Sequence, residues 1–164
     1  MPDIKNRDDD MDQNEITHRL ERAAWPIAAE QVEPLRLLLD PATHGGAIAS
    51  YMETALSHII YVEDRSYILR RPLRFGETSL LTPEDRWHWC EDQADRERHF
   101  NRRNDIRILP LVRRHNTPYL GGPGDVMDWV LERSRIARSK LRPTPSYPGN
   151  RSAAGSDINF VLVP

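Results

Sequence analysis

The chain has 164 residues with 23 basic and 25 acidic side chains, a formal net charge of −2, so bulk electrostatics select neither nucleic acid nor an acidic surface. A hydrophobic fraction of 38% beside 29% charged residues predicts a modest core with long polar segments, at a length suited to one domain. The single cysteine excludes an intramolecular disulfide and a cysteine-cluster zinc site, and without a leader-like start or an apolar run of spanning length the expectation is a soluble cytoplasmic protein with no membrane partner.

Residues 1–13, with the run Asp8-Asp9-Asp10 and few apolar side chains, read as a disordered acidic tail. A globular unit is expected over 14–142. Asn14 caps a first predicted helix running to about Ala24, with Ile16, Leu20, Ala23 and Ala24 on one side, and Trp25-Pro26 breaks it. A second helical stretch reaches Leu39 and carries Pro34, and Asp40-Pro41 closes it. His44-Gly45-Gly46 lacks the lysine and hydroxyl of a phosphate loop.

The spacing of Ile48, Tyr51, Met52, Ala55, Leu56, Ile59 and Ile60 follows i, i+3, i+4 and predicts an amphipathic helix over 47–62, with His58 at the edge of its apolar face and bonded to a neighbour. From Tyr67 the pattern alternates, Leu69, Arg71, Leu73 and Phe75 against Arg70, Pro72 and Arg74, as in an edge strand or extended connection. Ile106 to Arg113 reads as a second short strand, and the two are expected to pair.

Between them, Thr82 to Asn104 forms the best-signalled helix. A hydroxyl, a proline and two acids start it (Thr82, Pro83, Glu84, Asp85), and acids precede arginines along it, opposing the helix dipole at both ends. Trp87, Trp89, Cys90, Ala94 and Phe100 fall in one sector, interrupted by Arg86, Gln93 and Glu97. His88, Asp92, Asp95 and His99 fall in the opposite one. Imidazole and carboxylate one turn apart can form half of a metal site or an acid–base pair, so these four are the weak catalytic candidates. His88 and His99 stand eleven residues apart, about 16 Å along the axis, and cannot ligate one ion. Glu15-x-x-His18 and Asp85-x-x-His88 echo a carboxylate-x-x-histidine bundle element, without the remaining carboxylates. His18, His44, His58 and Glu53 are residues of the right type to complete a site. No metal site and no cofactor are implied, and Cys90 reads as a packing residue.

After the turn-rich stretch Asn116 to Gly124, Asp125 caps a last predicted helix to about Leu141 through Val126, Trp129, Val130, Ile136, Ala137 and Leu141. Residues 102–142 hold ten bases against four acids, and Arg102, Arg103, Arg107, Arg113, Arg114, Arg133, Arg135 and Arg138 are candidates for nucleic-acid contact. Residues 143–156 read as a Pro/Ser/Gly linker. The apolar peptide 157–164, with Ile158, Phe160, Val161, Leu162 and Val163, reads as a docking strand for this domain, a second copy or another protein.

The expected fold is predominantly α, four to five helices with a small antiparallel β element of two or three short strands. The expected function is non-enzymatic contact with another protein or a second copy, as an assembly, adaptor, inhibitor or accessory subunit. Nucleic-acid binding and a metal-dependent or acid–base enzyme built on the His/Asp stripe are the alternatives.

Overall fold

The computed structural model describes residues 6–100 and 105–134. Helix α1 (Asn6–Glu21) and helix α2 (Ala29–Leu39) lead through a 3₁₀ turn at Pro41–His44 into three consecutive strands, β1 (Ala49–Glu53), β2 (Ser57–Val62) and β3 (Arg65–Arg70). A two-residue hairpin follows, β4 (Arg74–Phe75) and β5 (Thr78–Ser79). Helix α3 (Pro83–Phe100) precedes β6 (Ile106–Arg114), β7 (Thr117–Leu120) and β8 (Asp125–Ser134). Six strands form one antiparallel sheet in the order β1-β2-β3-β8-β6-β7, curled into a half-barrel.

The protein is therefore a mixed helix and sheet fold, and a predominantly α reading does not stand. The predicted helix over 47–62 is the β1–β2 hairpin, in which Ala49, Ile60 and Val62 turn into the core while Ile48, Met52 and Leu56 are exposed. Its turn contains no glycine. It is held instead by Thr54, whose Oγ1 accepts from the backbone N–H groups of Leu56 and Ser57 at 3.2 and 2.9 Å. The predicted helix from Asp125 is β8 as far as Ser134, and residues 135–141 lie outside the described residues. Ile106–Arg114 does form a strand, but the stretch expected as an edge strand from Tyr67 to Phe75 splits: β3 ends at Arg70, before Pro72, and lies inside the sheet, and β8 stands between it and β6, so the two do not pair. Helix α1 begins at Asn6, so part of the acidic segment is helical and Asn14 is not its cap.

Alternation sorts the sheet's two faces. Ile60, Val62, Leu69, Leu111 and Val130 face α1 and α2, where Ile16, Leu35, Leu38 and Leu39 meet them. Ile68, Ile106 and Leu131 face α3 and meet Cys90 and Ala94. Both faces of β3, β6 and β8 are thus covered, which is why these strands carry apolar residues at consecutive positions.

The prolines sit where a ladder can spare a donor. Pro118 is on the edge strand β7, and Pro110 on β6 lies at the end of the β6–β7 ladder, its carbonyl accepting from Gly121 N–H at 2.7 Å. Pro34 is buried inside α2. At the start of β8, Gly124 has φ +155° and no room for a side chain: an added Cβ would stand 3.0 Å from the Arg113 carbonyl oxygen.

Candidate functional site

Helix α3 starts as its sequence predicts. Thr82 Oγ1 accepts from Asp85 N–H at 3.1 Å, and Asp85 Oδ2 accepts from Thr82 N–H at 3.1 Å and from the Ser79 hydroxyl at 3.0 Å. Backbone donation at Thr82 and then the Ser79 hydroxyl hold the Asp85 carboxyl below its ordinary range. Four residues apart, Arg86, Cys90 and Ala94 point inward and are buried. The two tryptophans flank this row. Trp89 receives the Arg70 guanidinium over its ring at 4.5 Å, while Trp87 lies against Trp129 of β8, ring centroids 6.1 Å apart and planes at 50°.

Trp87 and Trp129 form the walls of an open groove of about 410 Å³, completed by Pro83, Glu84 and Val126. Val126 is 46% exposed, far more than an ordinary core valine, and Glu84 is exposed at the rim. Two indoles from different elements, set at an angle over an open apolar floor, suit a partner's side chain better than solvent.

The His/Asp stripe keeps the exposure expected of it. His88, Asp92, Asp95 and His99 are all exposed, and their contacts are local. His88 Nδ1 stands 3.6 Å from Glu91, Asp95 accepts from Arg98 at 3.4 Å, and His99 touches Phe100. No other histidine joins them: His44 Nε2 bonds the Leu38 carbonyl oxygen at 2.8 Å, His58 is buried on β2, and His18 is exposed on α1. Among the described residues no three His, Cys, Asp or Glu side chains gather as metal ligands would.

Of the four described nucleic-acid candidates, Arg107, Arg113 and Arg133 meet carboxylates. Arg65 and Arg107 converge on buried Glu132 at 2.8 and 2.9 Å, Arg71 on Glu53 at 2.9 Å, Arg113 on Glu33 and Arg133 on Glu97. Arg114 lies over the Tyr119 ring at 4.0 Å. Arg102, Arg103, Arg135 and Arg138 lie outside the described residues, as do Ile158, Phe160, Val161, Leu162 and Val163 of the docking peptide and the linker 143–156.

Two buried polar clusters went unforeseen. The β3–β8 ladder stops at Ile68↔Leu131, and past that point the strands are bridged by side chains. Gln31 Nε2 donates to the Arg70 carbonyl oxygen at 2.7 Å and to Asp128 Oδ2 at 2.9 Å, and Arg86 Nε donates to Asp128 Oδ1 at 2.7 Å. Arg86 also donates to the carbonyl oxygens of Leu80 and Leu81. All three side chains are fully buried. This cluster ties α2, the start of α3 and two strands together, and so fixes the wall on which Trp129 stands. The one sequence signal was Arg86 inside an apolar sector.

The second cluster lies at the β1–β2 end. Tyr51 bonds His58 Nδ1 at 2.7 Å, and Arg71, which donates to Glu53 and to the carbonyl oxygens of Thr54 and Pro26, places its positive charge beside both. Burial, then the neighbouring positive Arg71, pushes His58 down to about 3, so it is neutral. Burial raises Tyr51 to about 12. The tyrosine hydroxyl thus donates to Nδ1, and the imidazole proton sits on Nε2, which is buried without a hydrogen-bond partner.

Cys90 is buried under α3 and its thiol is pushed up to about 12, first by burial and then by Asp128. A thiol this protonated and enclosed is a poor nucleophile. Alkylation by iodoacetamide at pH 8 is expected to be at least ~100-fold slower in the folded protein than in urea. Fast native labelling would mean that α3 lifts from the sheet.

No helix among the described residues is long and apolar enough to cross a membrane. Comparison with protein-family models, curated proteins and solved structures finds no match to the chain.

Proposed function

We propose that this protein acts by contact with another protein, as an assembly or accessory subunit, and that the outer face of α3 and β8 is where it docks. One observation carries this: the Trp87–Trp129 groove presents two angled indoles to solvent from a wall braced by the buried Arg86–Asp128 pair. Tryptophan at the centre of a patch is the residue most often responsible for binding energy, and a rigid wall lowers the ordering cost of association. The exposed stripe beginning at His88 would form the polar border of the same face. The peptide 157–164 is a second docking element in this proposal.

The arginine-to-carboxylate pairing weighs against an open nucleic-acid surface on the described strands, since a phosphate would have to displace Glu132, Glu33 or Glu97.

The test is purification of the chain from its native source, with partners identified by mass and affinity measured on the isolated complex. Trp87→Ala and Trp129→Ala are each expected to weaken the complex by ~30-fold or more, as central aromatic anchors do, while Asp95→Ala changes it little. Equal affinity for all three variants would remove the groove from consideration. Loss of the complex on deleting 157–164, with no effect of either tryptophan variant, would move the docking site to that peptide.

A further inference from the structure

We infer that the Trp87–Trp129 groove recognises a cationic side chain, an arginine presented by a different protein; this deepens the docking proposal above and rests on it. The fold already stacks such cations on its own aromatic rings. Arg70 lies over Trp89 at 4.5 Å and Arg114 over Tyr119 at 4.0 Å, so two aromatic rings here carry a guanidinium of the same chain. Trp87 and Trp129 carry none among the described residues, although theirs is the paired site. Their rings, 6.1 Å apart and tilted by 50°, line one open volume, with the His88 imidazole 4.8 Å from Trp87.

Charge around the groove has the matching sign. Glu84 lines it directly. In the same turn Asp85 is the capping carboxylate, and the cation Arg86 is fully buried and committed to Asp128. Asp125 is exposed one residue before Val126, which lines the groove. The helix dipole at this end would favour an anion, but the Asp85 capping carboxylate already answers it, and Glu84 adds a second negative charge in the same turn. An anionic ligand would face these acids, and a neutral apolar one would gain nothing from Glu84. A guanidinium stacks on indole and pairs with a carboxylate at once.

The experiment uses the full chain labelled with ¹⁵N, whose four indole N–H resonances are assigned from Trp→Phe variants. It is titrated with acetyl-Gly-Arg-Gly-amide and with the citrulline tripeptide, which has the same shape without the charge. The arginine peptide is expected to shift the Trp87 and Trp129 resonances and leave Trp25 unmoved, with the citrulline peptide binding at least ~10-fold more weakly. Glu84→Gln should weaken the arginine peptide by ~3-fold, and Trp129→Ala should abolish its effect on Trp87. Unchanged chemical shifts elsewhere would show that each variant remains folded.

Equal binding of the citrulline peptide, or no indole shift at millimolar arginine peptide, overturns the cation assignment. If Trp87→Ala still disrupts the native complex in that case, the docking proposal stands and only the chemistry of its partner has been misassigned. Concentration-dependent dimerisation abolished by Trp129→Ala would replace the foreign partner with a second copy of this chain.

Discussion

Replacing Asp128 by alanine is expected to lower the free energy of unfolding by about 3–5 kcal/mol, the range seen when one partner of a buried ion pair is removed. The effect is large because both side chains are fully buried: without Asp128 the Arg86 guanidinium keeps its bonds to the Leu80 and Leu81 carbonyl oxygens but loses its counter-charge. Gln31 loses an acceptor as well, and the bridge across the β3–β8 split opens. Urea denaturation of the wild type, Asp128→Ala, Arg86→Met and the double variant measures it. Asp128→Ala is expected to be worse than the double variant, since a buried charge is harder to leave alone than to remove. A loss below ~1 kcal/mol would mean that water reaches Arg86 and that the cluster does not brace the groove.

The same cluster explains why β8 looked helical. Asp128, Val130 and Glu132 share one face of the strand, and two of these three inward positions hold acids that are matched by Arg86 and by Arg65 and Arg107. Read without those partners, which lie far away in the sequence, Asp128 and Glu132 mark solvent positions. Val126, Trp129 and Val130 then fall at i, i+3, i+4. On the opposite face Leu131 is covered by α3 and Trp129 is partly buried against it, so no polar alternation remains to reveal the strand.

The β1–β2 hairpin was hidden differently. Its turn at Thr54–Ser57 uses a threonine hydroxyl rather than glycine, and three of the apolar residues that suggested a helix, Ile48, Met52 and Leu56, are on the surface. The β-branched run at Ile59, Ile60 and Val62 was the available clue. Helix α3 was legible because its signals are local: the Thr82–Asp85 reciprocal cap, Pro83 and the acid-to-base charge order need no partner elsewhere. For the same reason the exposed His88–His99 stripe was readable from angle alone. Half of the groove, Trp87, falls by helical angle in the apolar sector of α3, and its partner Trp129 lies in a segment whose spacing predicts a separate helix. A site made by two elements becomes visible only once their contact is known.

Acidification is expected to expose His58 as a second buried liability. In the folded protein it is held down to about 3, against 6.5 for a free imidazole, through burial first and the facing Arg71 cation second. The unfolded chain therefore binds a proton below pH 6.5 that the folded chain refuses. The stability contributed by keeping His58 neutral is whole above pH 6.5 and drains as pH falls toward 3, at about 1.4 kcal/mol per pH unit. Between pH 6.5 and 4.5 the loss is about 2 kcal/mol from this side chain alone. Other groups titrate in that window, so the measurement is a difference: chemical denaturation at several pH values for the wild type and for His58→Gln, which keeps an acceptor for the Tyr51 hydroxyl and has no proton to gain. The wild type should lose ~2–3 kcal/mol more than the variant from pH 7 to pH 4.5. Parallel pH profiles would mean that His58 protonates without leaving the fold, with its Nε2 reaching water. If the profiles diverge, Arg71→Gln separates the two causes: it should raise the folded His58 and shrink the difference in part, leaving the larger share that burial contributes.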